Sequence, residues 1–305
     1  MGYVFGPVPS RRLGRSLGVD LVPLKTCSYD CIYCQVGRTT NKTAVPAGFN
    51  PVGEVLRDLE ERLRTTSPDV VTFSGSGEPT LHSEIHRVIE RVKELTDTRV
   101  AVLTNGSLLF RPEVRERLLA ADLVMPTLCT TSEETFQRIH RPHGDLHLAA
   151  VMEGMERFRE MFSGELAVEV LLMKGINDTE EEIQGLIEAF DRIAPDRIQL
   201  NTVVRPPSSS EAVPLDRTRL EEIRGFMGER AEIIADPRLG KGEADRADLF
   251  RSVREMAERR PIRVRDAADS LSIPMKEAGA IVQALVNQGA LHSREHEGET
   301  YFSAT

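Results

Sequence analysis

Cys27-Ser28-Tyr29-Asp30-Cys31-Ile32-Tyr33-Cys34 gathers three of the chain's four cysteines into eight residues. Thiols this close, in a chain that is otherwise poor in cysteine, read as metal ligands rather than as a disulfide framework. Two metal readings are open. A four-iron cubane is held by cysteine thiolates, and three of them leave one iron free. A structural zinc ion takes four protein ligands, so it needs a partner distant in sequence, either Cys129 or one of the seven histidines.

The eight residues follow a short strand-like run at 18–21, and that run opens a repeating pattern. Further strands are expected at 70–73, 99–104, 123–127, 166–172 and 197–203, with a weaker one at 231–234. Amphipathic stretches at 52–64, 83–95, 112–120 and 179–193 lie between them. Thr131 with Glu134, and Asp178 with Glu181, have the spacing of capping boxes that open helices. Such alternation is the mark of βα units around a parallel sheet. About six units predict an α/β fold with a partial (βα)6 TIM-like barrel, since the eightfold barrel typically takes about 250 residues. Loops after the strands then gather on one face, which puts the cysteines where barrels carry their sites.

The segment 236–245, with Pro237, Gly240 and Gly242, reads as a linker between a domain over 1–235 and a smaller one over 246–305. In the smaller part, helices are expected at 247–258, 264–271 and 275–288, with a break at Ser272-Ile273-Pro274. Gly289 stops the last helix, and strand-like runs at 290–294 and 300–303 flank a polar turn, the pattern of a winged helix. This part has nine Lys plus Arg and nine Asp plus Glu, and its recognition-helix candidate offers only Lys276 against Glu277. That argues against a reader of duplex DNA. The whole chain, at a net charge of −9, is no general coat for nucleic acid, although a local basic site stays open. No apolar run approaches the roughly 20 residues that span a bilayer, and Met1-Gly2-Tyr3-Val4-Phe5-Gly6-Pro7 has no basic start followed by an apolar stretch. The expectation is a cytoplasmic protein with no membrane partner.

With three and then two residues between successive cysteines, and Tyr33 as the aromatic before the last, the loop resembles the radical S-adenosylmethionine superfamily. The resemblance extends over residues 3 to about 235. It implies an enzyme with one oxygen-sensitive [4Fe-4S] cluster on Cys27, Cys31 and Cys34 and S-adenosylmethionine on the open iron. An electron carrier such as flavodoxin or ferredoxin would drive cleavage to a 5′-deoxyadenosyl radical. Tyr33 would lie against the adenine.

Phe73-Ser74-Gly75-Ser76-Gly77-Glu78-Pro79 follows the second strand. By itself this is a turn whose glycines allow close backbone approach and whose proline opens a helix. The resemblance implies that Gly75, Ser76, Gly77 and Glu78 receive the amino group of S-adenosylmethionine. Asn105, after the third strand, is either a cofactor contact or plain Asn-Gly turn chemistry. After the fourth strand, Thr127 would sit near the cofactor carboxylate, and Cys129 stands where relatives often carry Asp. For Cys129 three readings are open: a further ligand, a thiol giving a hydrogen atom to a substrate radical, or a small buried apolar residue. Lys174 follows the fifth strand, and the sixth brings Asn201, a further substrate candidate, and then Arg205; the Lys and the Arg converging there would suit an anionic substrate or the cofactor carboxylate, and each also fits an ordinary surface. Arg11 and Arg12 belong to the densest basic stretch near the site, which is a substrate contact or a solvated run.

Gly6-Pro7-Val8-Pro9-Ser10-Arg11-Arg12, together with 37–40, 74–81 and 201–207, is similar to radical proteins grouped with the wyosine-base synthases of transfer RNA. This implies RNA modification. The wyosine enzymes need a second cluster with its own cysteines, and this chain has only Cys129 to spare, so their reaction is not carried over. A second reading is maturation of a peptide, protein or small molecule, with the winged helix gripping substrate or partner. A third is a non-catalytic iron–sulfur sensor that binds nucleic acid, which would need no Gly-Glu-Pro platform.

Overall fold

The computed structural model describes residues 2–10, 12–234, 249–271 and 273–305. Arg11 and the expected linker at 236–245 lie outside them. Strands β1 (Val4–Ser10), β2 (Gly14–Val19), β3 (Thr26–Cys27) and β4 (Asn41–Lys42) come first. Then α1 (Val52–Thr65), β5 (Val70–Phe73), α2 (Ile85–Leu95), β6 (Arg99–Thr104), α3 (Pro112–Glu116), β7 (Leu123–Pro126), α4 (Glu133–His140), α5 (Leu148–Met161), β8 (Glu165–Leu172), α6 (Glu180–Ile193), β9 (Arg197–Thr202), α7 (Arg217–Met227) and β10 (Ala231–Ile233) alternate.

One eight-stranded sheet runs in the order β1-β2-β5-β6-β7-β8-β9-β10. All neighbours from β2 onward are parallel, and only β1 is antiparallel, on the edge. This is the expected α/β architecture: six βα units and a closing strand, left open between β1 and β10 among the described residues. Helices coat the outside because their apolar residues repeat at helical spacing. In α2, Ile85, Val88, Ile89 and Val92 are all fully buried, each contributing at most about 1.5–3 kcal/mol. On the inside of the sheet, Val70, Ala101, Leu123, Met125 and Ala167 form a separate small core, and Leu13 from the β1–β2 turn plugs it at the strands' N-terminal end.

Three expectations need correction. The first parallel strand is Gly14–Val19 rather than 18–21, because it pairs in a tight hairpin with β1 down to Ser10 opposite Gly14. Pro7 and Pro9 hid β1, yet proline is tolerated on an edge strand. Both capping boxes shift by one residue: Ser132 accepts from Thr135 N–H, and Thr179 from Glu182 N–H. Finally, Arg12 is not part of a solvated face. The Arg12 side chain is only 10% exposed, turned inward against Glu169.

Beyond the barrel lie α8 (Leu249–Arg259), α9 (Val264–Leu271), α10 (Met275–Asn287) and the hairpin β11 (Leu291–His296) with β12 (Glu299–Ala304). They share their own core of Val253, Met256, Ile262, Leu271, Ile281, Leu285 and Leu291, against which Val8 of β1 packs. Polar contacts join the two parts. Arg259 pairs with Asp20 at 3.0 Å, Arg62 with Glu255 at 2.8 Å, and the Tyr301 hydroxyl donates to the Val204 carbonyl at 2.8 Å. Among the described residues no helix is long and apolar enough to cross a membrane.

Candidate active site

Two loops meet backbone to backbone at the C-terminal ends of β2 and β5. Lys25 N–H donates to the Ser76 carbonyl at 2.7 Å and Glu78 N–H to the Thr26 carbonyl at 3.0 Å. Gly77 makes this possible, for a Cβ there would stand 1.9 Å from the Thr26 oxygen. Gly75 has φ +108°, in the region that favours glycine, and a Cβ on it would meet Asp20 Oδ1 at 2.2 Å. The glycines thus fix the turn against the cysteine loop. Asp20 Oδ1 also accepts Ser76 N–H at 2.7 Å, while its other oxygen pairs with Arg259. Burial raises the Asp20 pKa, and the Arg259 guanidinium pulls it back down.

Glu78 is almost fully buried and works inside the fold. Its carboxylate accepts from Thr80 N–H at 2.9 Å, Thr80 Oγ1 at 2.5 Å, Thr104 Oγ1 at 2.6 Å and Asn105 N–H at 2.7 Å. These bonds favour its charged form, although burial raises its pKa. Asn105 in turn braces the cysteine loop, its Nδ2 donating to Ser28 Oγ at 2.8 Å and lying 3.5 Å from Cys27 Sγ. Its Oδ1 accepts Ser107 N–H at 2.9 Å, the turn chemistry the Asn-Gly pair suggests.

Cys27, Cys31 and Cys34 are half-buried free thiols, and all three line a cavity of about 290 Å³. Burial pushes the Cys27 thiol up to about 12 and raises Cys31 and Cys34 as well. The same cavity is lined by Tyr33, Gly75, Gly77, Glu78, Asn105, Thr127, Asn201, Arg205 and Arg12. At its inner end Arg12 makes a two-pronged pair with Glu169, at 2.6 and 3.2 Å, and Asn201 Nδ2 donates to the same carboxylate at 2.7 Å.

Three expected residues are not brought into the lining. Ser76 contributes only its backbone, which is used by Asp20 and Lys25. Cys129 is fully buried in an apolar cluster with Ile32, Ile139, Met173, Ile176 and Val203, where burial pushes its thiol up to about 12. Lys174 is exposed, because Asn177 pins its turn through Met173 N–H and the Cys129 and Leu171 carbonyls, away from the cavity.

Four residues at or around the site were not singled out from the sequence. Glu169 had a signal: a lone acid in the apolar run Leu166-Ala167-Val168-Glu169-Val170-Leu171-Leu172 of a parallel strand. His140 had none. It ends α4 with its Nδ1 3.3 Å from Cys31 Sγ and its ring 4.8 Å from that of Tyr29, and burial lowers its pKa to about 3. Asp20 and Arg259 are 239 residues apart, a pairing no local pattern reveals.

The donor set fits an iron–sulfur cluster. Three free thiols from one loop line a single cavity, and a cubane takes one thiolate at each of several corners. Residues 21–189 match the family model described as "Radical SAM superfamily", and the chain belongs to that superfamily. It is an enzyme of the radical S-adenosylmethionine type, whose cofactors are a [4Fe-4S] cluster and S-adenosylmethionine. More narrowly, it is 35% identical to the UPF0026 protein of Methanocaldococcus jannaschii, across 99% of this chain and 96% of that one. It is 42% identical, over 76% of its length, to a Brachyspira hyodysenteriae protein named GTPase Obg, of which it spans 34%. Among solved structures, Streptococcus suis SuiB bound to precursor peptide SuiA superposes with a TM-score of 0.52 at 16% identity, covering 77% of this chain and 50% of that one. The likeness is one of fold.

Proposed function

We propose that Cys27, Cys31 and Cys34 hold the cluster, that the adjoining cavity receives S-adenosylmethionine, and that the substrate is an RNA. Held by Cys27, Cys31 and Cys34, a cluster would supply the electron for reductive cleavage of S-adenosylmethionine to methionine and a 5′-deoxyadenosyl radical. The rest is the work of the chain's own groups. Gly75 and Gly77 present bare backbone where a cofactor amino group would approach. Glu78 holds that turn and the end of β6 in place, so it positions donors and acceptors more than it touches ligand. Tyr33 offers a ring for the adenine, and Thr127 and Asn105 offer hydroxyl and amide groups. Arg12, Glu169 and Asn201 form a fixed polar floor that orients substrate. Cys129 fills the core, and Lys174 has no part in the site.

Residues 246–305 are read as a winged-helix-like domain beyond a linker at 236–245; three helices followed by a hairpin support this. We assign that domain to substrate binding, in a cytoplasmic enzyme reduced by flavodoxin or ferredoxin. The resemblance of the motifs at 6–12, 37–40, 74–81 and 201–207 to radical proteins grouped with transfer RNA enzymes is what favours RNA over peptide. The observation that carries the reading is that the three cysteines, the Gly75–Gly77 turn and Asn105 all line one cavity.

The test is to reduce anaerobically reconstituted protein with dithionite and measure 5′-deoxyadenosine. Release that disappears in Cys31→Ala supports the reading. A reconstituted protein that releases none overturns it. For the substrate, transfer RNA crosslinked to the purified protein is expected, and capture of a peptide instead would replace RNA.

A further inference from the structure

A second cavity, of about 190 Å³, lies between the barrel and the C-terminal helices. It meets the cofactor cavity at Arg12, Gln35, Gly75, Leu103 and Arg205. On its other side Arg259 and Arg260 open it to an outer groove that carries Lys25, Arg38 and Arg294. Among the described residues four arginines and no carboxylate line it, in a chain whose net charge is −9.

Two of the four are already matched. Arg12 is paired with Glu169, and Arg259 with Asp20. The other two are not. Arg205 donates from Nη1 to Gln35 Oε1 at 3.3 Å, and its buried Nε has no acceptor. The Arg260 side chain makes no hydrogen bond or ion pair among the described residues. Asp266 attracts both, but its oxygens are engaged by Arg263 at 2.9, 3.0 and 3.3 Å. Burial, together with the neighbouring Arg205 charge, holds Arg260 down to about 9. Two half-buried guanidinium groups that face one cavity with no carboxylate bonded to either among the described residues repel one another, and a bound anion relieves both at once. Their number selects the anion. A carboxylate brings one charge and two oxygens, while a phosphate monoester brings close to two charges and three terminal oxygens, which suits two planar forks.

We infer that this cavity is a phosphate site, in which Arg205 and Arg260 grip a phosphate ester of the substrate while its remainder passes Arg205 into the cofactor cavity. The inference rests on the proposed function and names the chemistry by which substrate is recognised. The phosphate is the monoester of a small phosphorylated molecule or the terminal monoester of a nucleic-acid chain.

The test uses the reconstituted full chain with S-adenosylmethionine present, and measures binding of uridine, uridine 5′-monophosphate, inorganic phosphate, a 5′-phosphorylated oligouridylate and citrate. Uridine 5′-monophosphate or the oligouridylate should bind at least about tenfold more tightly than uridine, and Arg260→Gln should weaken that binding about tenfold. Arg260→Lys, which keeps the charge, should recover part of it, and that recovery excludes a folding defect as the cause. Tighter binding of the oligomer points to a nucleic-acid chain. Tighter binding of the mononucleotide points to a small ester. Uridine binding as tightly as its phosphates, citrate binding as tightly as they do, or no effect of Arg260→Gln would overturn the site. The same preparation is assayed for 5′-deoxyadenosine, so the two readings can fail separately. A protein that cleaves S-adenosylmethionine but ignores phosphates loses the phosphate site only; one that binds phosphates but cleaves nothing loses the radical reading.

Discussion

Replacing Gly77 with alanine tests how the cysteine loop is held. The new Cβ would stand 1.9 Å from the Thr26 oxygen and 2.9 Å from Val22 Cγ2. Ordinary contact begins at 3.4 Å, so the two loops must part by about 1.5 Å. Separation on that scale breaks the Lys25–Ser76 and Glu78–Thr26 backbone bonds, at 2.7 and 3.0 Å. Each is worth about 0.5–1.5 kcal/mol net, and more where the freed group stays buried, for a total loss of roughly 2–4 kcal/mol. The melting midpoint should fall by roughly 3–8 °C. Because Cys27 adjoins Thr26, iron content after anaerobic reconstitution should fall with it. Gly53→Ala is the control. It lies in α1 with nothing within 4 Å of the added carbon, and should stabilise by about 0.5–1 kcal/mol. Gly77→Ala protein with full iron and an unshifted midpoint would refute the loop-to-loop account.

Three other variants probe separate parts of the structure. Asp20→Asn strands the buried Arg259 charge and should cost about 3–5 kcal/mol in urea unfolding, with part regained by adding Arg259→Met; strictly additive losses would show that the pair is not coupled. His140→Phe keeps the packing on Tyr29 and Phe136 but removes the nitrogen 3.3 Å from Cys31 Sγ. The cluster potential, followed by paramagnetic resonance during redox titration, should become more negative, and an unmoved potential would mean that Nδ1 gives the sulfur no hydrogen bond. Cys129→Ala should lose roughly 1–2 kcal/mol of stability while keeping its iron and its 5′-deoxyadenosine release, whereas loss of iron would make Cys129 a ligand.

Much of the architecture was legible because it rests on local pattern. Parallel strands read as continuous apolar runs, so 70–73 and 99–104 coincide with β5 and β6. The spacing of Cys27, Cys31 and Cys34 likewise needs no tertiary information. What was hidden depends on partners far away in the chain. β1 is a proline-bearing edge strand whose one strand partner among the described residues is β2, and Arg12 is turned inward onto Glu169 of β8. The role of Glu78 was visible as a motif but not as a set of bonds, since Thr104 and Asn105 reach it from the next strand. Lys174 looked convergent because it follows a strand. The turn held by Asn177 sends it to solvent instead, and strand order alone does not give a side chain's direction.

The central claim is that Cys27, Cys31 and Cys34 hold a cluster with one iron left for S-adenosylmethionine. The direct measurement is iron and sulfide content of the anaerobically reconstituted protein, with its dithionite-reduced paramagnetic resonance spectrum taken before and after S-adenosylmethionine is added. About four irons per chain and a spectrum changed by S-adenosylmethionine, both lost in Cys31→Ala, are the predicted result. Zinc in place of iron, or a cluster whose spectrum ignores S-adenosylmethionine, would contradict it.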